Sequence, residues 1–118
     1  MNSKSVLKEK SFHFSLQVIE ICRCLRVSNT DYAMHRQLLR SGTAIGASIA
    51  ESEFAQSKAD FINKLSIALK EANETRYWMD LLCESQNIHK QSVADAEMLL
   101  TEIIKMLVSS IKTSKGKQ

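Results

Sequence analysis

A chain of 118 residues with 44% apolar side chains, 25% charged side chains and no proline is long enough to bury one core without disulfide or metal staples, and nothing in it marks disorder. Its formal charge of +3 falls well short of a histone-like balance, so charge alone names no partner. No apolar run approaches the roughly 20 residues that span a bilayer, and no apolar segment follows the lysines of "MNSKSVLKEK", which argues against a membrane partner and a secretory leader.

The first apolar stripe joins Leu7, Phe14, Val18, Ile21, Cys22 and Leu25 at steps of three and four residues, which predicts a helix over about 4–27. Ser28, Asn29, Thr30 and Asp31 follow as turn and cap residues, whose side-chain oxygens can satisfy the free amides of a new helix. A second helix is predicted over about 31–54, with Leu38, Gly42, Ile45 and Ile49 on one line and Leu39, Gly46 and Ala50 beside it.

Ser57 with Asp60 three residues later resembles a capping box and opens a third helix, about 58–86. Its stripe runs through Phe61, Leu65, Ala68, Leu69, Ala72, Met79 and Leu82, broadened by Ile62, Trp78 and Leu81. Ser92 and either Gln91 or Glu97 are the start signals for a fourth helix, about 92–112, with Val93, Ala96, Leu100, Ile103 and Leu107 in line before the chain frays into "KTSKGKQ". Four amphipathic helices on short links imply a single all-α domain, an antiparallel up-down-up-down four-helix bundle. Phe12, Ile19, Ile67, Leu99, Ile104, Met106 and Val108 lie off the stripes, too many for a bare surface, and argue that another subunit covers part of it.

The stretch "RSGTAIGASIAES" has neither the lysine nor the preceding strand of a phosphate-binding loop. Gly42, Gly46 and Ala50 instead stack three small residues on one helix face, which lets a neighbouring backbone approach closely. Each glycine costs a helix roughly 1 kcal/mol against alanine, so close packing must offset both. Arg40 and Glu51 lie on the same face, and the third helix adds Lys70, Glu71 and Glu74; together they make either a buried or interfacial salt-bridge network that sets register, or a solvated charged face.

Catalytic and metal chemistry finds little purchase. The di-iron bundle spacing Glu-x-x-His is absent, since Lys10, Tyr32 and Gln86 precede His13, His35 and His89 at that distance. These histidines read as surface or capping residues. Cys22, Cys24 and Cys83 form no CxxC pair, so a zinc or redox site is not expected, and three buried or half-buried thiols suit a reducing, cytoplasmic location. No cofactor, metal, catalytic residue or small-molecule substrate is expected. In the bundle Lys4, Lys8 and Lys10 would meet Lys112, Lys115 and Lys117 at one end, with Glu9 the one nearby acid. That pole, repeated around an oligomer, is a candidate contact for RNA or DNA phosphates; alternatively the lysines serve solubility alone.

The segment from Gln37 to Leu82 resembles the small bacterial four-helix bundle proteins called 23S rRNA intervening-sequence proteins. The resemblance rests on Arg40, Ser41, Ile45, Ile49, Ala50 and Glu51 in the second helix, and on Ala68, Lys70, Glu71, Glu74, Tyr77 and Trp78 in the third. Ser48 stands where the family usually has asparagine, and Ser52 where a glycine follows the glutamate; losing that glycine should let the second helix run further. The resemblance implies a ring-like homopentamer with no enzymatic activity, and by analogy with a distant relative, the accessory subunit of retroelement reverse transcriptases, nucleic-acid binding. The reading is an oligomeric scaffold that binds RNA or DNA through a repeated basic surface. Its alternative is a protein-binding adaptor.

Overall fold

The computed structural model describes residues 3–28, 32–85 and 88–116, and the side chains of all these except 3–5 and 26–28. Among them stand four long helices, α1 (Ser3–Ser28), α2 (Tyr32–Ser52), α3 (Lys58–Glu84) and α4 (Ala94–Gly116), with a 3₁₀ turn at Lys90–Val93 and no strand. They pack side by side into a rod of 50 × 22 × 21 Å. α2 lies against α1 and α3, and α4 against α3 and α1.

Polar contacts identify which ends meet. Lys8 pairs with Glu53 at 3.2 Å, while the Cys22 thiol, farther along α1, donates to the His35 carbonyl at 3.6 Å near the start of α2. Lys64 reaches back to Glu51 at 3.2 Å. Arg76 donates to the Thr101 hydroxyl at 2.7 Å, and Lys10 pairs with Glu102 at 2.7 Å.

The core follows the apolar periodicity. Phe14, Val18, Leu38, Ile45, Met79, Leu82, Leu100, Ile103 and Leu107 are buried outright. Ile21, Leu39, Phe61, Ile62, Leu69 and Trp78 close its margin. So do Leu99, Ile104 and Met106, which corrects their reading as outer-surface residues: a helix enclosed by two neighbours buries more than one stripe. Val108 is likewise half-buried. Phe12, Ile19 and Ile67 remain exposed, joined by Leu16, which the stripes did not single out.

Helix ends depart from expectation in physical detail. The change from glycine to Ser52 does not prolong α2, which stops at Ser52 rather than near Phe54. The Glu53, Phe54 and Ala55 amides donate three residues back, to Ala50, Glu51 and Ser52, and Ser57 is already extended, its hydroxyl accepting from the Asp60 amide. The Asp60 carboxylate in turn accepts from the Gln56 amide at 3.2 Å. Asn29, Thr30, Asp31 and Gln86 lie outside the described residues.

Ser92 does not cap α4. Its hydroxyl donates to the His89 carbonyl at 2.7 Å, and the resulting 3₁₀ turn delays α4 until Ala94. At its other end α4 continues through Gly116 instead of fraying after Lys112. His35 is buried rather than on the surface, because it sits one turn before Leu38 on the face toward α1. Cys24 is exposed, not half-buried.

α1 and α2 approach closely at the two glycines. A Cβ on Gly42 would lie 2.8 Å from Val18 Cγ1, and one on Gly46 would lie 3.3 Å from the Ser11 carbonyl oxygen. Val18 is β-branched and stiff, so it cannot swing aside cheaply. Gly42→Ala is expected to lower stability by about 1–2 kcal/mol, because overpacking outweighs the gain in helix propensity. In a Val18→Ala background the same change should be neutral or stabilising. Urea unfolding at matched protein concentration measures both, and an equal loss in the two backgrounds would contradict the steric account.

Candidate functional site

Three polar or small-residue features line α2. The first is a charged cluster on the α2–α3 seam. Arg40 Nε donates to the Gln37 side chain at 3.0 Å, its Nη1 lies 3.3 Å from Glu71, and its Nη2 pairs with Glu74. Trp78 Nε1 also donates to Glu74 Oε2, at 2.9 Å. Tyr77 stands edge-on to Trp78, with ring centroids 5.2 Å apart.

This cluster is only half sheltered: the Arg40 side chain is 48% exposed. Of the readings left open, a buried or interfacial network or a solvated face, the structure shows a network on the α2–α3 seam that is open to solvent on one side. Long side chains here reach across the helix pair from its flank, leaving the interior to small hydroxyls. Glu51 is not part of it; it pairs with Lys64 nearer the far end of α2. Lys70 is exposed and acts on Glu74 by charge alone. Bonds from Trp78 and then Arg40 hold the Glu74 carboxyl below its ordinary range, and the bond to Glu74 raises the Arg40 guanidinium above its own.

The second feature is a buried hydroxyl pair beneath the cluster. Ser41 and Thr75 bond at 2.9 Å, and Thr75 also donates to the Glu71 carbonyl at 2.7 Å. Thr75 escaped the sequence reading, although its place between Ala72 and Met79 on the buried stripe of α3 was a usable signal. Ser48, also on α2, is buried as well.

The third feature is an outer groove between α1 and α2, about 990 Å³ in volume. Small residues form its floor, among them Ser15, Gly46, Ala47 and Ala50, and Phe12, Leu16 and Ile19 form its wall. The wall residues recur at helical spacing on α1, yet Phe12 is 67% and Leu16 51% exposed. Gly42 and Gly46 thus have different surroundings: Gly42 meets the core, whereas Gly46 and Ala50 open outward.

The expected basic pole is weaker than six lysines against one acid. Lys8 and Lys10 are neutralised by Glu53, just past the end of α2, and by Glu102 of α4. Lys112 and Lys115 are exposed near the end of α4. The Lys4 side chain and Lys117 lie outside the described residues.

Among the described residues no group of three or more His, Cys, Asp or Glu side chains could hold a metal ion. No helix among them is long and apolar enough to cross a membrane. The carboxylates of the cluster are already engaged by Arg40 and Trp78, which makes Glu74 a poor proton donor near neutral pH. Burial pushes the Cys83 thiol above its ordinary value, away from the nucleophilic thiolate.

Among the described residues the protein is all-helical, and its marked features are a polar seam, a buried hydroxyl pair and an apolar groove. The 23S rRNA-intervening sequence protein family matches residues 3–109, and the chain belongs to that family. It is similar to a protein of unknown function from the S23 ribosomal protein family of Bacteroides thetaiotaomicron VPI-5482, known from a crystal structure. The two are 46% identical, with a TM-score of 0.90, over 94% of this chain and 99% of that one. No curated protein matches the chain.

The Glu74 carboxylate supplies a pH signature. Its folded value lies below the unfolded one, so its contribution is present above roughly pH 4.3 and is lost as pH falls through the folded value. Glu74→Gln should remove part of the stability lost as pH falls below about 4.3, with an effect of roughly 0.2–1 kcal/mol because Arg40 is solvent-screened. Urea titrations across that window check it. An acid dependence identical to that of the parent chain would contradict the assignment.

Proposed function

We propose that this protein is a non-enzymatic, self-associating scaffold whose helices form an antiparallel up-down-up-down bundle and whose copies close into a ring-like homopentamer. The exposed wall of Phe12, Leu16 and Ile19 over a floor of small residues carries the reading. Such a continuous apolar groove is what a packed partner helix needs, and it is costly to leave in water. The ends that meet, Lys8 with Glu53 and Lys10 with Glu102, support the bundle order. Cys22, Cys24 and Cys83, held as thiols, suit a cytoplasmic location.

On this reading the ring presents Lys112 and Lys115 from each copy, and repetition turns a weak phosphate contact into a useful one. The family's description refers to 23S rRNA, which makes RNA the first nucleic acid to try, before DNA. A protein-binding adaptor is the second reading, and the neutralisation of Lys8 and Lys10 favours it.

Light scattering combined with filter binding of structured RNA tests both parts. The expected result is a particle of five 13.3 kDa chains whose RNA retention falls with salt and falls further in Lys112→Gln/Lys115→Gln. A monomer at micromolar concentration would defeat the scaffold. A pentamer whose RNA retention is absent, or is unaltered by the double change, would leave the adaptor reading in its place.

A further inference from the structure

A second concavity lies away from the outer groove, where the later part of α1 faces the 3₁₀ turn and the first turn of α4. It is a cleft of about 400 Å³, within the size range of small-molecule sites. Its origin is the late start of α4. A tight turn at Lys90–Val93, rather than a full helix, backs this part of α1, and the space between them is left open.

The cleft combines apolar walls with two carboxylates at its rim, beside His89. Ile21, Leu25, Ile88 and Val93 supply the walls, and Glu20 and Asp95 the charge, with no lysine or arginine among the lining residues. Glu20 pairs with Arg23 through Oε2 at 2.6 Å, which offsets part of its charge and leaves Asp95 the stronger of the two. Asp95 and Glu97 in the first turn of α4 offset the positive helix end that would otherwise favour an anion. Gln17 also lines the cleft, and its Oε1 is shut off from solvent with no hydrogen-bond partner.

We propose that this cleft binds a small apolar molecule bearing an ammonium group, of arylalkylamine type. The apolar part lies on Ile21, Leu25, Ile88 and Val93, and the ammonium sits at the Glu20 and Asp95 rim. A carboxylate analogue meets repulsion at the same rim, and a neutral alcohol keeps the apolar contact alone.

Ligand-observed NMR titration of the full chain with tryptamine, tryptophol and indole-3-acetate tests this assignment. Tryptamine should bind with a dissociation constant of roughly a millimolar or tighter. It should be preferred over indole-3-acetate by roughly three- to tenfold at low salt, as expected for two solvent-screened carboxylates. Glu20→Gln/Asp95→Asn, at two exposed positions, should keep the fold and bring the three ligands to similar affinity. Absence of tryptamine binding at millimolar concentration, equal binding of the three to the parent chain, or a preference that survives the double change would each overturn the proposal.

Discussion

The approach of α1 to α2 at Gly42 is the contact on which the rest of the structure depends. With no side chain there, Val18 packs directly on the α2 backbone, and Phe14, Leu38 and Ile45 belong to the same buried core. One turn on, Gly46 brings the Ser11 backbone nearly as close. Both glycines weaken an isolated helix by roughly 1 kcal/mol each, so their presence is rational only in a helix pair whose spacing they set. The same spacing determines the outer side of the pair. There the floor of small residues lies low, and Phe12 and Leu16 stand above it.

Register along α2 and α3 is set by a different chemistry. Hydroxyls, not charges, occupy the interior: Ser41 and Thr75 satisfy each other and the Glu71 carbonyl within the helix pair. The charges of Arg40, Glu71 and Glu74 bridge the seam from outside, where water still screens them. Such pairs contribute little net stability, but their geometry disfavours a slip of one helix past the other. Trp78 joins the two levels, its ring packed against the core and its N–H bound to Glu74.

Much of this was legible in the sequence because apolar periodicity reports directly on burial. The lines through Leu38, Ile45 and Ile49, and through Leu100, Ile103 and Leu107, are the buried lines. Capping was legible where one local hydrogen bond decides it, as at Ser57. It failed at Ser92, whose hydroxyl turns back to His89, and at Ser52, where α2 ends on three-residue turns despite the missing glycine. Partners from distant segments were not legible: Glu53 and Glu102 reach Lys8 and Lys10 only once the helices are side by side. The cleft beside the 3₁₀ turn was hidden for the same reason, since it depends on where α4 begins rather than on any motif.

The packing of α1 on α2 therefore links the interior to the proposed role, one side of the pair building the core and the other offering an apolar groove to a second copy. Oxidative footprinting of side chains across a protein dilution series tests that link most directly. Labelling of Phe12 and Leu16 should fall as concentration rises and copies associate, while Lys8 with Glu53 marks the groove's end. Labelling of Phe12 and Leu16 that stays constant from the most dilute to the most concentrated sample would contradict it.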